Sequence, residues 1–138
     1  MKKLLALFVL TVMISGNLTS CKKQSCPVDE PTKRELLTQA IWNFVKLERY
    51  DNDGNLLSTM QFNGDKLELT PAGNYYFYDD ANRLSDVGIF TFIEGDPDQL
   101  HIASDQIQII FTVDQLDEEH LVISGIRGNI KSVWTLER

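Results

Sequence analysis

The chain has 138 residues, with 20 acidic against 13 basic side chains and a formal net charge of −7. That length holds one domain with a modest core, and so acidic a surface repels phosphate backbones, which argues against a nucleic-acid partner. The two histidines, His101 and His120, have no second histidine or cysteine at ligand spacing; a zinc site normally takes three or four such ligands, so no metal centre is expected.

Met1-Lys2-Lys3 opens the chain with positive charge, and residues 4–14 follow without a charge before Ser15, Gly16 and Asn17 interrupt the apolar run. A basic start, a short apolar stretch and small residues before a cut describe a secretory signal. The stretch is too short for a bilayer core, which needs about 20 residues of helix. Leu18-Thr19-Ser20-Cys21 resembles the bacterial lipobox, an aliphatic residue and two small residues before a cysteine. That resemblance implies removal of residues 1–20 and acylation of Cys21. One acyl chain binds a membrane only marginally, and a multiply acylated cysteine anchors a protein without a spanning helix. Loss of Lys2 and Lys3 would leave the mature chain two charges more acidic. Acylation of Cys21 would leave Cys26 without an internal disulfide partner, so the domain must be stable through its core. Residues 21–32, with Pro27 and Pro31 and no apolar periodicity, read as a lipidated tether. Lys22 and Lys23 lie either in solvent or against anionic head groups.

Thr32 is a helix N-cap with Glu35 three residues on, a capping box that predicts a short helix over 33–40. Short strands follow: 41–50, 56–62, 66–69, 74–78, 87–93, 100–103, 107–113, 121–124 and 129–136. Asp51-Asn52-Asp53-Gly54-Asn55 separates the first two. Its glycine is misplaced for a helix–loop–helix calcium loop, so it reads as a turn. Asn63-Gly64-Asp65 predicts a hairpin, because Asn-Gly tolerates positive φ. Ile107, Ile109, Phe111 and Val113 alternate onto one face, as do Ile130, Ser132, Trp134 and Leu136. About nine short strands punctuated by turns predict an all-β fold. No helix is long enough for a parallel crossover, so the sheet is expected to be antiparallel. An up-and-down meander closing into a barrel of about eight strands removes its exposed edges.

Leu36-Leu37 before Ile41-Trp42-Asn43-Phe44-Val45, the segment Phe62-Asn63-Gly64-Asp65, and Phe111-Thr112-Val113-Asp114-Gln115-Leu116 leading into Leu121-Val122-Ile123 resemble lipocalin-like domains. Most of 36–136, in a domain of 33–138 behind a lipobox, is similar to the small lipocalin-like lipoproteins of Bacteroidetes. The glycine that such domains place before the first tryptophan is replaced here by Ala40-Ile41, and a central Gly-x-Trp by Gly88-Ile89-Phe90. The resemblance implies an envelope protein held by lipid on Cys21. Lys22 in place of an aspartate resembles outer-membrane delivery, and Lys22-Lys23-Gln24-Ser25 lacks the acidic residues associated with surface export, which favours a periplasm-facing position.

No enzyme is expected. There is no Gly-x-Ser-x-Gly elbow, Gly125-Ile126-Arg127-Gly128 is too short for a phosphate-binding loop, and Asp117-Glu118-Glu119 reads as a solvated loop. The aromatic residues Trp42, Phe44, Phe62, Tyr75, Phe77, Phe92, Phe111 and Trp134 are the candidate barrel core or ligand pocket. An eight-stranded barrel is either filled by its side chains or holds one small ligand. Two functions follow: binding of a small apolar molecule in the barrel without a cofactor, or a filled barrel that engages an envelope protein.

Overall fold

The computed structural model describes residues 31–138. The lipobox, Cys21, Cys26 and the tether up to Glu30 lie outside the described residues. Helix α1 (Lys33–Thr38) comes first. Nine strands follow: β1 (Ile41–Tyr50), β2 (Leu56–Gln61), β3 (Lys66–Leu69), β4 (Asn74–Tyr78), β5 (Leu84–Ile93), β6 (Asp96–Ala103), β7 (Gln108–Leu116), β8 (His120–Arg127) and β9 (Ile130–Glu137). Every pairing is antiparallel, and β9 returns to β1. The result is a closed, lipocalin-like barrel of eight strands, β1 and β3 to β9, with β2 as an extra strand.

The capping box forms as expected. The Thr32 hydroxyl accepts from the Glu35 backbone N–H, and the Glu35 carboxylate accepts from the Thr32 N–H at 2.7 Å. Two of the helix's orphan donors are thereby satisfied.

The Asn63-Gly64 hairpin does not form. β2 and β3 both run antiparallel to β1 along the same edge, β2 opposite Lys46–Tyr50 and β3 opposite Ile41–Asn43. Residues 62–65 interrupt this edge instead of reversing the chain. The Phe62 N–H donates to the Val45 carbonyl, and the Phe44 N–H to the Asp65 carbonyl. Gly64, at φ 112°, carries the chain out of line and back, so the positive φ that the pair tolerates serves a break rather than a turn. The interruption sits beside the bulge in β1 between Phe44 and Lys46, where added twist helps a sheet curl into a barrel.

β7 and β8 run longer than expected, and so do β5 and β6. β5 begins at Leu84, and β6 at Asp96, because Glu94-Gly95 alone turns the chain between Ile93 and Asp96, with Gly95 at φ 82°. Alternation holds along both. Phe90 is buried while Ile89 faces solvent, and Leu100 and Ile102 are buried on β6.

One end of the barrel is closed. Leu37 of α1 and Trp42 of β1 are both 0% exposed. The Trp42 indole N–H donates to the Leu37 carbonyl at 2.9 Å, satisfying the polar atom of a buried ring. The Arg138 guanidinium lies 4.7 Å from the Trp42 ring centre and donates to the Leu36 carbonyl at 2.6 Å. Arg34 covers the Phe90 ring and donates to the Pro71 carbonyl. Helix, first strand and Arg138 are thus fastened together at this end. The loops at residues 51–55, 79–83, 104–107 and 128–129 gather at the other.

Candidate functional site

Inward-facing side chains fill the closed half of the barrel. Trp42, Leu69, Phe90, Leu100, Leu121 and Leu136 are each 2% exposed or less. Toward the opposite end the packing gives way to a cavity of about 270 Å³. Phe44, Leu67, Tyr75, Phe77, Asp86, Ile102, Ile107, Ile109, Phe111, Ile123 and Trp134 line it. These residues come from all eight barrel strands or, for Ile107, from the residue just before β7, so the cavity is the barrel lumen. Phe77, Ile109 and Trp134 are half-buried and Ile107 is exposed, so the lumen opens to solvent at this end.

Four aromatic rings shape one wall. Phe44 lies 5.2 Å from Phe77 and 5.4 Å from Trp134, both edge to face, while Phe62 stacks on Trp134 at 5.8 Å. Such pairs add about 0.5–1.5 kcal/mol beyond their area burial and hold ring orientation. Phe62 reaches this cluster because the chain leaves the edge of β1 at that residue.

Beside this wall, on β4 and β5, lies the cavity's one ionisable pair. The Tyr75 hydroxyl donates to Asp86 Oδ2 at 2.6 Å, and the Ser104 hydroxyl donates to the same oxygen at 3.3 Å. Burial pushes the Tyr75 phenol above its ordinary value, and the hydrogen bond to Asp86 adds to the rise. Tyr75 fits because its cross-strand partner is Gly88. A Cβ at Gly88 would stand 2.6 Å from Tyr75 Cε1 and 2.2 Å from the Ala103 carbonyl oxygen. Gly125 plays a similar part for Phe111, whose ring would lie 3.0 Å from an added Cβ.

Five of the eight aromatic candidates line the cavity: Phe44, Tyr75, Phe77, Phe111 and Trp134. The other three do not. Trp42 is sealed at the closed end, Phe62 supports Trp134, and Phe92, two residues beyond Phe90, packs half-buried against the core. The aliphatic lining of Leu67, Ile102, Ile109 and Ile123, and Asp86 itself, were not singled out by residue type. Alternation on β7 was the one signal that placed Ile107 and Ile109 inside. The clamp of Arg138 on Trp42 was also missed, since it joins residues 96 positions apart.

Among the polar candidates, Asp51 serves its turn. Its carboxylate accepts from the backbone N–H groups of Asp53 and Asn55 and from the Asn55 side chain. Asp117 accepts from the backbone N–H groups of Glu119 and His120, at 2.9 and 2.8 Å. The residues 125–128 form the end of β8 and its turn, with Gly128 at φ 62° between the paired residues Arg127 and Ile130.

No protein-family model matches the chain, and no curated protein matches it.

Proposed function

We propose that this chain is a lipid-anchored, lipocalin-like envelope protein that binds a small apolar molecule in the open half of its barrel, without a cofactor and without catalysing a reaction. The observation that carries the binding reading is the solvent-open cavity of about 270 Å³, walled by aromatic and aliphatic side chains. Ligand sites are concave, mostly apolar and largely preformed, with volumes of about 300–1,000 Å³. This lumen falls just below that range, which suits a small molecule rather than an intact membrane lipid. Asp86 turns its Oδ2 to the hydroxyls of Tyr75 and Ser104, which leaves the wall that faces a guest apolar.

The anchoring reading rests on Leu18-Thr19-Ser20-Cys21 behind a basic and then apolar leader. Acyl chains on Cys21 would hold the protein to the outer membrane, on the periplasmic side given Lys22 and Lys23. Cys21→Ser should abolish incorporation of radiolabelled palmitate and release the protein from the membrane fraction. Unchanged retention of the variant in membranes would overturn the anchor.

For the binding reading, native mass spectrometry of the full chain carrying Cys21→Ser should show a retained small molecule, or uptake of an added apolar probe. Ile109→Trp, which fills the lumen, should abolish it. Failure of every apolar probe to bind, with the barrel folded, would remove the reading.

A second reading is supported by β2. All six of its residues are exposed, among them Leu56, Leu57 and Met60, each more than half exposed. Among the described residues this strand pairs only with β1, and a free edge can accept a strand from an envelope protein. Crosslinking in cells from a photoreactive group at Ser58 would then give one reproducible partner, whereas only abundant bystanders would count against it.

A further inference from the structure

We infer that the guest of the lumen is an amphipath with a single anionic head, a medium-chain carboxylic acid or a molecule of that chemistry, whose head is held by Arg49 and Arg127. The inference deepens the ligand-binding reading and rests on it.

A second recess, of about 230 Å³, adjoins the lumen at the mouth. It shares Ile109, Phe111 and Trp134 with the apolar cavity, and adds Arg49, Arg127 and Ser132. Strand register explains why these polar residues face inward. Arg49 pairs with Ser132, one step beyond the pair Leu47 and Trp134. Arg127 continues the inward series Leu121, Ile123 and Gly125 on β8. Arg49 and Arg127, from the strands on either side of β9, thus both line this recess at the solvent-facing mouth, where both are exposed.

Both arginines lack a carboxylate partner among the described residues, in a chain whose acids outnumber its bases by 20 to 13. Arg83, by contrast, is paired with Asp79, and Arg34 and Arg138 donate to carbonyls at the closed end. Guanidinium forks match carboxylates bidentately. A head group placed there lets the tail run past Trp134 into the apolar cavity. Asp86 engages Tyr75 and Ser104 through its Oδ2 and presents no polar surface to the lumen, so it offers an amine head no direct contact there. Gly125, between the two compartments, leaves room where a side chain would narrow the passage.

The test compares decanoate, decanol and decylamine on the full chain carrying Cys21→Ser, purified without detergent. Trp134 lines the lumen and Trp42 is sealed away from it, so the Trp42→Phe variant makes the fluorescence report on the cavity alone. Decanoate should bind about tenfold more tightly than decanol or decylamine, the scale of one hydrogen-bonded charge. That advantage should shrink as salt is raised, while decanol binding stays level. The double variant Arg49→Ala and Arg127→Ala should erase the advantage and keep decanol binding. Equal affinity for decanoate and decanol, a preference for decylamine, or a decanoate advantage that survives the double variant would overturn the inference and leave the apolar cavity reading standing. Should no probe bind, both fall together. The salt series on unsubstituted arginines decides the matter even where the double variant is poorly folded.

Discussion

Gly88 shows how much one residue can hold. Its missing side chain is what lets the Tyr75 ring lie on β5 and its hydroxyl reach Asp86. Gly88→Ala would press a methyl group against the backbone of Ala103 and against the ring. Overpacking of this kind costs about 1–3 kcal/mol, and urea unfolding should show a loss at the upper end of that range. Tyr75 carries a pH signature as well. Its native phenol titrates above the ordinary tyrosine value of 10.0. The neutral form is therefore favoured in the folded state, and its contribution is complete below that ordinary value. It is lost as the pH rises from there through the raised native value. Tyr75→Phe should flatten the alkaline end of the stability profile, followed by circular dichroism between pH 9 and pH 12. At the closed end, Arg138→Ala removes both the contact with the Trp42 ring and the hydrogen bond to Leu36. A loss of about 1–2 kcal/mol is expected from denaturant curves. None of these three roles is visible from residue type, because each depends on a neighbour brought near by strand register.

At the level of elements, local chemistry was legible wherever it is self-contained. Thr32 and Glu35 specify their capping box within four residues, and the structure forms it. The Asp51 turn was likewise readable, since its acceptor and donors are adjacent in the chain. Asn63-Gly64 misled for a physical reason: a pair that tolerates positive φ can reverse a chain or merely break it, and pairing to β1 decides which. The helix earns its place through burial rather than length. Leu37→Ala should cost about 2–5 kcal/mol by opening a cavity under Trp42, against about 1 kcal/mol for Thr32→Ala at the cap; parallel thermal melts will rank them. The turn aspartates form a common device. Asp51, Asp79 and Asp117 each accept backbone N–H groups within their own loop, and each carboxyl is held below its ordinary value, Asp51 and Asp117 first through side-chain hydrogen bonds and Asp79 first through the Arg83 backbone. Their stabilisation is present above the ordinary aspartate range and is lost as the pH falls through and below it. Asp79→Ala, which also frees Arg83, should reduce stability at pH 7 and weaken its dependence on pH between 5 and 2.

For the molecule as a whole, the all-β class, the antiparallel order and the closure into eight strands were all legible in turn spacing and alternation. The division of the interior was not. Composition counts large side chains without saying which half of the barrel they enter. Trp42, Phe90 and the four leucines at 69, 100, 121 and 136 crowd toward α1, and the lumen opens only because the rest sit at the other end. The arginines of the mouth were hidden for the same reason, as their inward direction follows from alternation counted along β8 and across the β1 bulge.

The seam between β1 and β9 has a consequence in time. It joins the first strand to the last, with the Asn43 side chain donating to Glu137 across 94 positions and Arg138 reaching Leu36 across 102. Local hairpins can form while much of the chain is still free, but this junction waits for β9. Folds ruled by such distant pairings mature on the order of milliseconds to seconds rather than microseconds. Until the seam shuts, Trp42 has no cover and the lumen has no floor. The residues of β9 are thus the ones that decide when the barrel begins to exist as a container.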